Sequence, residues 1–397
     1  MNFHKKYCKQ VFVGGEAKDS NDTTLLKINR IILLTHEYPP EKGGAGIYCK
    51  EIAESAHKQK IDIQVWAPRG CENSSSFFIK ELPWKGSQSW LSSIFLIFHL
   101  KSFIGKGNKG ITLHIAELGA CRAFIRFGWL LPKNIPKIIT LHGSELINFT
   151  RNPIERFLFR KLLNDCDKVH VLSKFNRDQC GKFCDHLKSK IRLIPGAPSS
   201  VAINEKLTTI NPKKSDLRQI LCVGRIHPRK GQLELLQALN LIPVDLQKNI
   251  RMIFAGPVKK PSYQKKLENL ADTFAGEVKF TGETTNLELK LLYQNSDLFS
   301  LTPKITKNSV EGFGFVYLEA SAFGLPIIAT KVGGVEDAVK HGKTGLLSDP
   351  NSQEELKKNI IKLVENPSLG EKLGTNGVTW AKLHNWETVA QKLYQEN

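Results

Sequence analysis

The stretch from 308 to 334, NSVEGFGFVYLEASAFGLPIIATKVGG, constrains the fold of this chain more than any other. Glu311 opens a Gly-Phe-Gly turn, and an apolar segment carrying Glu319 starts near Phe315. Gly324-Leu325-Pro326 ends that segment, and Ile327-Ile328-Ala329-Thr330 follows as a short buried strand. Loop, helix, loop and strand in that order belong to a parallel sheet, because a strand that is apolar on both faces has to be covered on both faces. Glu319 falls about one turn inside the helix, at roughly 100° per residue, so it and Glu311 can face one cleft. Its neighbours are apolar or small, which suits a buried role better than a solvated one. Gly312 and Gly314 let the backbone approach a ligand closely, with free N–H groups at a helix start that favour anionic oxygen.

The same alternation runs through the rest of the chain. Ile31 to Leu34, Ile61 to Trp66, Lys137 to Leu141, Lys168 to Leu172 and Ile191 to Ile194 read as strands of a first half. Gln219 to Gly224, Arg251 to Ala255, Val278 to Gly282 and Leu298 to Leu301 read as strands of a second. Between them lies a polar, proline-bearing segment from Pro195 through Lys214, a domain linker. Length agrees, since 397 residues exceed one ordinary domain. The expected boundaries are an extension at 1–27, a first domain at 28–195, a linker at 196–216, a second domain at 217–375 and a C-terminal helix at 376–397.

Several strand ends carry chemistry. Pro39, Pro40, Gly43, Gly44 and Gly46 form a turn-rich loop after the first strand that leads into a helix, a place where phosphate or sugar can be cradled. The loop is neither the spaced-glycine dinucleotide fingerprint nor a phosphate-binding loop with its lysine and hydroxyl. His142 stands just past the strand KIITL, at the edge where doubly wound sheets bind ligands. Arg177 follows the strand KVHVL and is expected to approach the same cleft. Arg225, Arg229 and Lys230 share one loop between a strand and a helix, an arrangement suited to a diphosphate. Of the three, Arg229 alone reads equally well as part of a basic surface turn.

These segments together resemble the retaining nucleotide-sugar glycosyltransferases of family 4. The resemblance rests on Glu-x7-Glu from Glu311 to Glu319, the continuation GLPIIATKVGGVEDAVKHGKTGLLSDP, the element G-R-x4-K-G at Gly224 to Gly231, TLHGSEL, and the glycine loop, and it covers most of residues 30–397. It implies an α/β chain of GT-B architecture, two Rossmann-like parallel-sheet domains facing across a cleft. Arg225 and Lys230 would hold the donor diphosphate, Glu319 the ribose, and Glu311 with His142 the donor sugar. Gly43, Gly44, Gly312, Phe313 and Gly314 would line the donor, and Gly282 and Glu283 would frame the base. The acceptor would attack from the leaving-group face, a donor phosphate oxygen taking its proton, with no covalent glycosyl-enzyme. No cofactor and no metal is expected, and the donor would be UDP- or GDP-linked. The C-terminal segment containing Trp380 and Trp386 would be an amphipathic helix returning to the first domain.

Charge bears on the partner. The net charge is +19, and residues 1–195 contribute 31 Lys and Arg against 17 Asp and Glu. That basic half, with the apolar run Trp90 to Leu100 flanked by lysines, points to a lipid-linked or anionic glycan acceptor and to contact with an anionic membrane. The run is too short to span a bilayer, which needs about 20 residues, and a helix packed on the sheet explains it equally well. No nucleic-acid partner is expected, because no recognised module and no interleaving of basic with base-stacking residues is present.

Eight cysteines with no framework, and no signal peptide, fit reduced thiols in the cytoplasm. The basic first half adds an expected peripheral contact at the inner face of the plasma membrane. Cys180, Cys184 and His186 make too small a group for a zinc site. Asp165-Cys166-Asp167 reads as a strand lead-in rather than a metal motif. The function expected is transfer of a hexose-type sugar in envelope, polysaccharide or glycolipid synthesis. The alternatives are a nucleotide-sugar epimerase of the same architecture, which would need no acceptor, and a basic protein that binds nucleic acid or a membrane surface.

Overall fold

The structure, a computed structural model, describes residues 30–41, 43–86, 88–107, 110–203, 217–307 and 309–395. The expected extension at 1–27 and positions 204–216 of the linker lie outside these residues. Strands β1 (Arg30–Leu34), β2 (Ile63–Pro68), β3 (Phe78–Leu82), β4 (Ile111–Ile115), β5 (Lys137–Leu141), β6 (Lys168–Val171) and β7 (Ile191–Leu193) form one sheet. Strands β8 (Arg218–Val223), β9 (Ile250–Ala255), β10 (Glu277–Gly282), β11 (Leu298–Leu301), β12 (Ile327–Thr330) and β13 (Gly345–Ser348) form another. The orders are β3-β2-β1-β4-β5-β6-β7 and β10-β9-β8-β11-β12-β13. All strand pairs in both sheets are parallel. The chain is therefore α/β, with two Rossmann-like parallel sheets.

β1 shows why the sheets are covered on both sides. Ile31 and Leu33 join a core with Tyr48, Ile52 and Ala56 of the helix Gly44–Lys58, whereas Ile32 and Leu34 join a second core with Leu96, Ile97 and Phe124. Successive side chains of a strand point to opposite faces, so a strand that is apolar throughout must have both faces buried. The first of these cores is continuous with the second sheet through Phe315, Tyr317 and Trp386.

The run from Trp90 forms the helix Trp90–Gly105, started by Ser89, whose hydroxyl accepts from Ser92 N at 3.2 Å. One face of that helix packs in the core and the other is open. Leu96, Ile97 and Leu100 are buried, while Trp90, Leu91, Phe95 and Phe98 are exposed. Among the described residues no helix is long and apolar enough to cross a membrane.

The C-terminal segment differs from expectation. It is two helices, Pro367–Lys382 and Trp386–Tyr394, and the return to the first sheet starts at Trp386, not at 376. Trp380 stays with the second sheet, its indole N–H donating to Ala338 O at 2.9 Å. Asn385 caps the second helix by accepting from Thr388 N at 2.7 Å, which ends one periodic run and begins another. That helix then reaches the first sheet, where Tyr394 OH lies 2.7 Å from His114 Nδ1.

The seven described cysteines are unpaired, and all but Cys71 are buried. Cys166 joins the end of the helix Pro153–Asp165 to β6, and Asp167 accepts from Lys137 N at 2.8 Å, which makes this segment a strand lead-in.

Candidate functional site

Each sheet reverses its direction of growth once, between β1 and β4 in the first and between β8 and β11 in the second. Crevices open beyond the carboxyl ends of strands at such points. A cavity of about 570 Å³ lies there, bounded by both halves of the chain.

From the second half, β8 ends at Val223 and hands the chain to Gly224 and Arg225, followed by the short 3₁₀ turn Pro228–Lys230. Beyond β11 the chain carries Glu311. Lys230 Nζ and Arg229 Nη1 both reach Glu311 Oε2, at 2.7 and 2.9 Å, and all three side chains are nearly buried. Burial pushes the Glu311 carboxyl up, but Lys230 and then Arg229 outweigh it and hold it at about 2. Arg229 thus belongs to the site, and the surface-turn reading of it is corrected. Arg225 lines the cavity beside this cluster and forms no ion pair among the described residues.

Glu319 lies in the helix Phe315–Ala322, which begins where its apolar pattern begins. It is buried, its Oε1 accepting from Ser199 Oγ at 2.7 Å and its Oε2 from Tyr293 OH at 2.9 Å. Burial raises its pKa, which the two hydroxyls partly offset. A carboxylate oxygen has two lone pairs, so both oxygens keep capacity for a ligand hydroxyl. Gly312, Phe313 and Gly314 also line the cavity. A Cβ on Gly312 would collide with the carbonyl of His142, so this glycine makes room for contact between the two halves.

From the first half, His142 follows β5 and lines the cavity, with Nε2 donating to Ala116 O at 2.9 Å. The carbonyl can only accept, so Nε2 carries a proton. Gly43 and Gly44 line the cavity at the start of the helix Gly44–Lys58. A Cβ on Gly43 would collide with Glu37 Oε1, which ties the glycine loop to a carboxylate that motif reading passed over. Glu37 stands one residue beyond His36 at the ligand edge of β1, the kind of position that singled out His142. Glu51 is a second such acid. It accepts from Ser200 N at 2.7 Å, and burial lifts its pKa to about 7.

Two expectations land beside the cavity rather than in it. Thr284 and Asn286 line it, while Gly282 ends β10 and Glu283 is exposed. Arg177 instead pairs with Asp178 at 2.9 Å on the surface. Among the described residues no three His, Cys, Asp or Glu side chains converge as metal ligands would.

Known proteins are similar to this chain in sequence and fold. A family model described as Glycosyltransferase Family 4 matches residues 42–197, and one described as Glycosyl transferases group 1 matches residues 204–380. An uncharacterized glycosyltransferase of Methanocaldococcus jannaschii is 28% identical over 268 residues, covering 66% of this chain and 69% of its own. A GDP-mannose-dependent alpha-(1-6)-phosphatidylinositol monomannoside mannosyltransferase of Mycobacterium tuberculosis is 25% identical over 399 residues, covering 92% of this chain and 97% of its own. Among solved structures, the Anabaena protein HepE in complex with UDP and glucose superposes with a TM-score of 0.70 at 18% identity, over 92% of this chain and 98% of that one.

Proposed function

The chain belongs to glycosyltransferase family 4, with the GT-B fold, and from that premise we propose that it transfers a hexose-type sugar, with retention and without a metal, from a UDP- or GDP-linked donor. The observation that carries this reading is the convergence of Arg225, Arg229 and Lys230 on one wall of the cavity, with Glu311 as the carboxylate among them. Charge that grows on a departing nucleoside diphosphate is stabilised by fixed cations that need not reorganise, and Arg225 is free to bind oxygens bidentately. Glu319 would accept from the ribose, and the helix start at Phe315 would face the phosphates. Glu311 is held at about 2, so it is a weak base and a weak nucleophile. It acts as a positioning group for the sugar, and the acceptor's proton passes to a donor phosphate oxygen.

The acceptor belongs to a glycan or glycolipid of the cell envelope, and the protein works at the cytoplasmic face of the membrane. Support comes from the relative named for a phosphatidylinositol mannoside and from the open face of the helix Trp90–Gly105. On that face Trp90 is 63% exposed and Phe98 51%, with the Arg126 guanidinium 4.4 Å from the Trp90 ring. Aromatic rings beside cations suit the interface of an anionic bilayer.

The test is incubation with UDP- and GDP-sugars and a panel of glycolipid acceptors, with and without EDTA. Acceptor-dependent release of nucleoside diphosphate, unaffected by EDTA and giving a product of unchanged anomeric configuration by NMR, is the expected result. Conversion of the sugar with no acceptor present would favour the epimerase reading instead. Co-sedimentation with phosphatidylglycerol vesicles at moderate salt tests the membrane contact, and equal binding to neutral vesicles would contradict it.

A further inference from the structure

The cavity has two walls of opposite character. The second half of the chain supplies Arg225, Arg229 and Lys230, whereas the described residues of the first half supply six glutamates and one cation, Lys50, itself paired with Glu72 at 2.7 Å. Most of the glutamates hydrogen-bonded here are well served by the protein. Glu117 accepts from Gly119 N and Ala120 N at 2.6 and 2.7 Å, and Glu145 from Gly143 N at 2.8 Å. Glu51 is held by Ser200 N at 2.7 Å.

Glu37 differs. Its backbone is pinned, since Thr35 Oγ1 accepts from Glu37 N at 3.0 Å and donates to Glu37 O at 2.7 Å. Its carboxylate receives a single long hydrogen bond among the described residues, from Gly46 N at 3.4 Å. Gly43 and Gly46 both stand where a side chain would press on Glu37, so the loop is shaped around this group. Burial and the neighbouring Glu117 raise its pKa, while Arg225 on the opposite wall lowers it. A held carboxylate with open lone pairs, facing the cations across the cleft, is a receptor for a donor that the described residues do not supply.

We propose that Glu37 receives the acceptor substrate: its carboxylate accepts a hydrogen bond from a hydroxyl of the reacting unit, and that unit is a neutral polyol rather than a phosphorylated one. The inference rests on the donor assignment to the opposite wall. It separates two charges that composition merges. Among the described residues of the first half, every Lys and Arg but Lys50 lies outside the cavity lining, where it can meet an anionic carrier, while the described wall that meets the reacting hydroxyl is acidic and repels phosphate.

The test uses the full chain saturated with UDP or with GDP, and methyl α-D-glucopyranoside and glucose 6-phosphate as probes in ligand-observed NMR. The glycoside is expected to bind the nucleotide-loaded wild type and the phosphate not to compete. Glu37→Ala should weaken glycoside binding about tenfold or more, and Glu37→Gln, which keeps an accepting oxygen, should recover part of the loss. Both variants should keep the nucleotide-induced rise in Tm, which shows that fold and donor site are intact. Glycoside binding to Glu37→Ala at wild-type strength, equal binding of glucose 6-phosphate, or no glycoside binding to the loaded wild type would each overturn the proposal. If neither UDP nor GDP shifts the Tm of the wild type, the donor assignment fails first and takes this inference with it.

Discussion

Glu311 and Glu319 stand eight positions apart and meet opposite environments. Two cations hold the first carboxyl at about 2, while burial with no cation beside it among the described residues raises the second. Glu51 is the buried acid with the clearest consequence for stability. Its folded pKa of about 7 lies above the ordinary carboxylate value, so the folded state binds the extra proton. Its contribution therefore becomes unfavourable as pH rises from about 4.5 to about 7. Glu51→Gln, which keeps an acceptor for Ser200 N, should be more stable than wild type by about 1 to 3 kcal/mol at pH 8 and equal to it near pH 4. Denaturant melts at the two pH values check this, and a difference independent of pH would contradict it. Glu311, Glu319, Arg225, Lys230 and His142 were legible because each lies in a motif or just past a strand. Arg229 was legible only as one of two readings, and Glu37 was not legible. What defines them is a partner 82 residues away for Arg229 and a loop folded around the side chain for Glu37, and neither relation has a local pattern.

At the scale of elements, the helix Trp90–Gly105 shows how far hydrophobic pattern alone can decide. Its residues are apolar nearly all round, so periodicity left core packing and an interfacial face equally open. Tertiary contact resolves the two faces. Ile97 is fully buried and Phe98, the next residue, is exposed. Ile97→Ala should cost about 2 to 4 kcal/mol by thermal or denaturant unfolding. Phe98→Ser should change stability by no more than about 0.5 kcal/mol while weakening vesicle binding. Unchanged vesicle binding in Phe98→Ser would show that this face does not meet the membrane. The strands were easier to read, since a run apolar on both faces admits few other environments. The C-terminal segment was misjudged because one amphipathic pattern continues across the break at Leu383 to Asn385, and only the cap at Asn385 marks it.

Across the whole molecule, the two sheets are held together by more than their connection. Trp386 donates to Pro198 O at 2.8 Å and packs its ring against Tyr48 of the first half and Phe315 of the second. Trp386→Ala should cost about 3 to 5 kcal/mol and split calorimetric unfolding into two steps, whereas a single unshifted transition would show the halves to be coupled elsewhere. The two-sheet architecture was legible from alternating strands and helices. The facing of one acidic and one cationic wall was not, because it depends on which residues reach a shared cavity from sheets far apart in sequence. The central claim, that the cationic wall holds a nucleoside diphosphate, is tested most directly by calorimetric titration of UDP and GDP into wild type and Arg225→Ala. Wild type is expected to bind at least one nucleotide, and the variant to bind it roughly tenfold or more weakly at unchanged Tm. A folded wild type that binds neither, or a variant that binds as wild type does, would contradict it.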